Sequence, residues 1–406
     1  MSLKLTAIAI LVLGFLGLYP SVCQAQAPQQ DNSNVQYINT SHYDQYRGLL
    51  GEKVTQIDQD DTGYMWFATH HGLNRFDSQA FVHYKQDSLD ADSLPSNKIS
   101  LFTQTDDEMW LSLNNVGLAR FNKADQQFSL VQTINPGDDN QDRGIFHSVV
   151  FALAADAKQR VWIFQFDAGI SVYDPVSQSY SHLTQDNTDW LHSVRFFDAK
   201  TDQDGHIWAV TLEGLVYDID PDSRRAEVHR IDVPDVTAKE ARIYSISITN
   251  QGDKYLAAYQ GVYQFDEAQN QFVQIINRSH IEQLMGESLS VRNITADSQG
   301  RLWLSTLKGL ILFSQGQISE IKFLSRGQII DATLDVRSVF EDREHNIWVA
   351  TDDHGVFKLN HRWYQTTIKQ PFPGTKPIDI GTLHFSQGDF EDNLWLYDKQ
   401  QHRLAV

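Results

Sequence analysis

Short apolar or alternating runs, separated by turn residues, recur along the whole chain. Between residues 54 and 85, "VTQID" alternates apolar and polar positions and "YMWFAT" is aromatic and apolar; "GLNRF" follows a glycine, and "FVHYK" closes the unit. Runs of this length, rich in branched and aromatic side chains and bounded by Asp, Gly and Asn, predict four short strands joined by tight turns. No long helical periodicity is present. Only "RSHIEQLM" (278–285) predicts a turn or two of helix inside a loop.

The segment "DDTGYMWFATHHGLNRFD" (60–77) then returns seven more times. Its anchors are Trp66, Trp110, Trp162, Trp208, Leu256, Trp303, Trp348 and Trp395, spaced 44 to 52 residues apart, so seven of the nine tryptophans hold one repeat position. A catalytic motif occurs once, whereas a structural unit recurs at a period. The turn aspartate Asp60, repeated as Asp156, Asp202, Asp297, Asp342 and Asp389, is placed to cap backbone amides. Gly72 and its counterparts Gly117, Gly169, Gly214, Gly261, Gly309 and Gly355 fall where the turn between second and third strands needs positive φ.

A four-stranded unit of this size cannot bury both faces alone, but repeated radially it becomes a propeller blade. The predicted fold is therefore all-β. It is a seven-bladed β-propeller of four-stranded antiparallel blades over residues 35–360, followed by an incomplete eighth repeat at 361–406. Ring closure is expected from "VQYINT" (35–40), supplying the missing fourth strand of the seventh repeat beside residues 356–359. The alternative is an eight-bladed ring, with 35–40 paired to 403–406.

The pattern D-x-x-G-x-hydrophobic-W followed by T-x-x-G-L resembles the two-component regulator propeller repeat. "GYMWFATHHGLNRFD", "GRLWLSTLKGL" and "GHIWAVTLEGL" carry the match, which extends from about residue 35 to the C-terminus; the second and fifth repeats lack the turn aspartate or the tryptophan. The resemblance implies the extracytoplasmic sensor of a bacterial signalling protein. In that family, two propellers and a small β-sandwich commonly precede a membrane helix and a histidine kinase or diguanylate cyclase. The sequence ends at "NLWLYDKQQHRLAV". The expectation is a sensor module lacking its own output domain, working through a membrane signalling partner or a further C-terminal portion.

Composition narrows the partners. The net charge is −19, from 33 basic and 52 acidic residues. That balance argues against nucleic acid, and it favours a neutral or cationic ligand unless Lys308, Arg143 and His71 gather locally. Lys4, the apolar run 5–19 and the small residue Ala25 read as a signal peptide over 1–25, followed by a polar linker at 26–34. A membrane anchor and lipidation of Cys23 are the alternatives to cleavage. The expected product is periplasmic and free of cysteine, which excludes thiol catalysis.

No catalytic residue, metal site or cofactor is predicted. His70 and His71 are adjacent on extended chain and point to opposite sides, a poor arrangement for one metal. Acid pairs such as Asp106-Asp107 and Asp352-Asp353 belong to turns. Five residues beyond each anchor lie His71, Asn115, Asp167, Glu213, Lys308 and Asp353, with Gln260 in the shorter fifth repeat. These residues predict a polar ring around one mouth of the central channel. Trp190, in the loop 184–193, supplies an aromatic surface for stacking or covers a blade edge. Together they predict a site for a small, oligosaccharide-like ligand that is bound and not transformed. A protein-interaction scaffold and a propeller lyase or glycosidase are the alternatives.

Overall fold

A computed structural model describes residues 35–231, 237, 239–286, 291–325, 328–330, 333–362, 383–385, 396–398 and 403–405. The signal peptide, the polar linker, Trp363 and Trp395 lie outside the described residues. Seven antiparallel sheets at 54–84, 99–130, 150–183, 196–230, 243–277, 293–325 and 336–359 form blades 1 to 7 of a β-propeller. A separate three-stranded sheet joins Leu383–Phe385, Leu396–Asp398 and Arg403–Ala405.

The first strand of each blade faces a central channel, and the second is the most buried. Met65–Thr69, Val161–Gln165, Ile207–Thr211, Leu302–Thr306 and Ile347–Thr351 are buried at every position. Alternate side chains of such a strand serve the seams on its two sides. The tryptophan packs toward the following blade, as Trp66 does among Leu111, Phe121 and Phe128 of blade 2. In the fifth blade the counterpart of that tryptophan is Tyr255, which pairs with Ser247 as Trp66 pairs with Asp58. Leu256, the expected anchor, faces the preceding seam beside Trp208. A one-residue slip in a strand turns a side chain to the opposite face.

The turn aspartate does more than cap. Oδ1 of Asp60 accepts the amide N–H groups of Thr62 and Tyr64, each at 3.0 Å, and Oδ2 accepts the indole N–H of Trp66 at 2.7 Å. The same aspartate–tryptophan bond closes blades 3, 4, 6 and 7 at 2.7–3.0 Å. Blade 2 has Thr105 in that place, and the buried indole nitrogen of Trp110 has no hydrogen-bond partner. Blade 5 lost both members, with Thr249 and Tyr255 in their places.

All seven glycines of the second-to-third-strand turn have positive φ, from 67° to 147°. At Gly261 a Cβ would stand 2.0 Å from the carbonyl oxygen of Ile276, so the close approach of the fourth strand also demands glycine. The expected short helix is present as Arg278–Met285, capped by the Asn277 side chain and docked through buried Ile281.

Closure of the ring differs from the expectation in which segment does it. Val35–Asn39 does not pair with blade 7; it adds in parallel to the outer strand of blade 6, from Val35 opposite Glu320 to Asn39 opposite Leu324. The next segment, Ser41–Tyr43, pairs antiparallel with the third strand of blade 7, Ser41 opposite Lys358 and Tyr43 opposite Val356. Thr40 makes the crossing, with its N–H and hydroxyl both donating to the Leu324 carbonyl. "VQYINTSHY" holds two strands in tandem, each with a buried-side apolar residue, Ile38 in the seam of blades 6 and 7 and Tyr43 against Trp348. The eight-bladed alternative is excluded, since Val35–Asn39 pairs with the outer strand of blade 6 and does not join the sheet of Arg403–Ala405.

Candidate functional site

The channel encloses about 1310 Å³ and is lined by the inner strands of all seven blades. A β-bulge stands at the start of the inner strand in blades 1, 2, 3, 4, 5 and 7. A bulge leaves one residue out of the pairing and re-aims its side chain. The residues so presented are Thr55, Ser100, Phe151, Phe197, Tyr244 and Arg337, and Arg292 holds the same place in blade 6 with its N–H on the Ser305 carbonyl. All of them line the channel. They form one ring at the end of the channel where the second-to-third-strand turns emerge.

The ring has three sectors. Blades 1 and 2 present hydroxyls, that of Thr55 donating to the Ile99 carbonyl at 3.1 Å and that of Ser100 to Asn114 Oδ1. Blades 3, 4 and 5 present an aromatic arc. Phe151 and Phe197 lie nearly parallel with centroids 6.3 Å apart, and Tyr244 meets Phe197 edge-on at 5.8 Å. Phe166 extends the arc against Phe151 at 5.7 Å. Phe166 is 40% exposed and Phe197 38%, which is unusual for side chains of this size around a concave mouth. Blades 6 and 7 present arginine.

Beside the arginines is a charged cluster. The carboxylate of Asp352 lies 2.7 Å from Lys53 Nζ and 2.6 Å from Arg337. Burial pushes its pKa up, but these two cations outweigh burial and hold it below the usual range. Asp335 is raised by burial, which Arg337 and Arg292 at 3.7 Å only partly offset. His70, lining the same mouth, is pushed below the ordinary imidazole value by burial and then by Lys53.

The seven turn residues expected to form the polar ring share this end of the molecule but stand outside the channel lining. His71 is exposed; its ring occupies the space over Gly51, and its N–H is held by Thr69 Oγ1. Asn115 and Asp167 supply positive-φ turn positions, at 61° and 49°. Asp167 and Glu213 flank Arg195 at 3.5 and 3.7 Å, and Glu213 also accepts from the Ser193 hydroxyl. The Gln260 carbonyl accepts from Arg278 N–H and the Gln274 side chain. Lys308 is exposed, and Asp353 holds His354 at 2.7 Å. Nor do Lys308, Arg143 and His71 gather at the channel. The residues one place earlier, His70, Leu212 and Leu307, do line it.

Trp190 is placed elsewhere. Its indole N–H donates to the Arg224 carbonyl at 2.9 Å, in the turn between the third and fourth strands of blade 4, and its ring packs on Tyr217 at 5.7 Å. That turn is at the opposite end of the blade from the channel ring, so Trp190 fills the seam between blades 3 and 4. The ring the sequence reading missed carries its own signal, a channel-facing position ten to twelve residues before each second-strand anchor.

No family model and no curated protein matches the chain. Among solved structures, it is similar to an extracellular domain assigned to the hybrid two component system BT3049 of B. thetaiotaomicron. The TM-score is 0.65 at 18% identity, covering 89% of this chain and 52% of that one. The extracellular domain assigned to the hybrid two component system BT4673 of the same organism gives 0.61 at 17% identity, covering 89% and 44%. A streptogramin B lyase gives 0.57 at 13% identity, covering 80% and 97%. The chain thus spans about half the length of the two sensor-system domains. These likenesses place the fold as a seven-bladed propeller of a kind found in both sensors and enzymes.

Proposed function

We propose that this chain is an exported, ligand-sensing propeller that binds a small carbohydrate-like ligand at the ring and does not transform it. The observation that carries the reading is the aromatic arc at a concave mouth, with Phe197 exposed and Phe151 and Tyr244 half-buried beside it. Aromatic faces at such a position stack on the C–H face of a sugar ring, while neighbouring hydroxyls and arginines satisfy its polar edge. The sensing role draws support from the likeness to extracellular domains of two-component systems, and export from the charged and apolar N-terminus. A signal would then leave through a membrane partner or a further part of the same system.

Calorimetric titration of a panel of neutral and acidic mono- and disaccharides tests this, with product analysis after long incubation. Phe197→Ala is expected to weaken binding about tenfold, the equivalent of roughly 1.4 kcal/mol. An affinity indifferent to Phe197→Ala, or conversion of the ligand to product, would sink the reading.

A further inference from the structure

The charge at the mouth is opposite to that of the whole molecule. Arg292 and Arg337 stand in the ring, and Lys53 and Arg242, each just before an inner strand, line the same channel. These four cations form a contiguous arc across blades 5, 6, 7 and 1. Two carboxylates answer them, Asp352 on Lys53 and Arg337, and Asp335 on Arg292 and Arg337. Among the described residues no carboxylate lies within 4.0 Å of Arg242. The arc therefore keeps an excess of two positive charges on a chain whose formal charge is −19. Exposed charges beyond about 10 Å are largely screened at physiological salt, so the local arc outweighs the distant negative surface.

We infer that the ligand is acidic: a ring that lies on the aromatic arc and carries a carboxylate or sulfate group taken by Arg242 and Arg292. This deepens the sensing proposal and rests on it. Arg242 and Tyr244 are two residues apart at the start of one strand, so the cationic and aromatic sectors meet in blade 5. One small molecule spans both. A guanidinium offers a planar fork of N–H donors that matches a carboxylate or sulfate edge; Arg242 has no carboxylate within 4.0 Å among the described residues, and Arg292 has only Asp335, at 3.7 Å and shared with Arg337. Asp198, next to Phe197 in the ring, is paired with Lys200 at 3.6 Å, while Asp58 and Glu341 further along the channel wall disfavour an anion there and keep the acidic group at the mouth. Those carboxylates are already engaged, Asp58 by the Gln104 side chain and the Gln59 N–H, Asp198 by the Ser245 hydroxyl and the Ile246 N–H, and Glu341 by Ser298.

The test uses matched pairs with the full chain: cellobiouronic acid against cellobiose, and glucose 6-sulfate against glucose, at low and high salt. At least one acidic member is expected to bind about tenfold tighter than its neutral partner, with the advantage shrinking as salt rises. Arg242→Gln and Arg292→Gln are each expected to lower the acidic affinity by about tenfold, toward the neutral value, without moving the melting temperature. Acidic and neutral members binding equally, yet still weakened by Phe197→Ala, overturns this inference and leaves the sensing proposal standing. An acidic preference that survives both arginine substitutions overturns the assignment to this arc. No gain for either acidic member overturns the inference as well.

Discussion

The two ends of each blade obey different rules. At the end holding the first hairpin turn, five blades repeat one device, an aspartate, buried in all but blade 4, that caps its own turn and clasps the tryptophan. At the other end the bulge ring is built from hydroxyl, aromatic and arginine residues, arranged by sector. The backbone geometry is shared at both ends; only the demands on the side chains differ. The clasp fills a seam that every blade must fill, so its chemistry repeats. The ring faces an open mouth and is free to differ from blade to blade, which is how a symmetric scaffold presents an asymmetric surface.

Breaking the clasp should have the largest effect. Trp66→Ala removes a side chain only 2% exposed and should cost about 3–5 kcal/mol in denaturant unfolding. If it costs no more than a ring substitution, the contrast between the two ends is false.

A finer comparison sets the intact clasp against the broken one. Trp66→Phe leaves Oδ2 of Asp60 without its indole donor, losing a charge-assisted bond worth about 1.5–3 kcal/mol in addition to lost packing. Trp110→Phe loses packing and weakens the contact of Arg120 over the ring at 5.0 Å, but it loses no hydrogen bond, because its indole nitrogen already has no partner. Denaturant melts of the two variants should differ by at least about 1 kcal/mol, with Trp110→Phe the milder. Equal losses would mean that the aspartate contributes only as a turn cap.

The smallest stability change belongs to the ring. Phe197→Ala should shift stability by less than about 1 kcal/mol, since the side chain is 38% exposed. Trp190→Ala should cost more, about 2–3 kcal/mol, through lost contact with Tyr217 and the lost bond to Arg224, while leaving ligand affinity unchanged. A Trp190→Ala protein that is stable but fails to bind would return that residue to the site.

Much of the fold was legible because its cause is periodic. Strand length, the glycine turns, the seam tryptophans and the helix at 278–285 all follow from residue types at fixed offsets. The slips came where the local pattern is degenerate. "KYLAA" offers Tyr255 and Leu256 as equally plausible anchors, and only pairing with Ser247 puts Tyr255 in the tryptophan's place. Likewise "VQYINT" reads as one closing strand, whereas Thr40 carries the chain on to a second strand, Ser41–Tyr43, on the next blade.

The site was less legible for a different reason. Turn residues such as His71, Glu213 and Asp353 are polar in sequence and stand out, yet they stand outside the channel lining. Bulge residues such as Phe151 and Tyr244 look like ordinary strand positions, and only their fixed offset of ten to twelve residues before the second-strand anchor marks them. By itself the sequence determined the repeat, the blade and the choice of seam residues, because each depends on neighbours within about fifty residues. The tertiary structure alone decided which segment closes the ring, which side chains reach the axis, and that Lys53, Arg242, Arg292 and Arg337 share one mouth. Those are contacts between blades far apart in the chain, set by radial packing and by bulges that no run of residues announces.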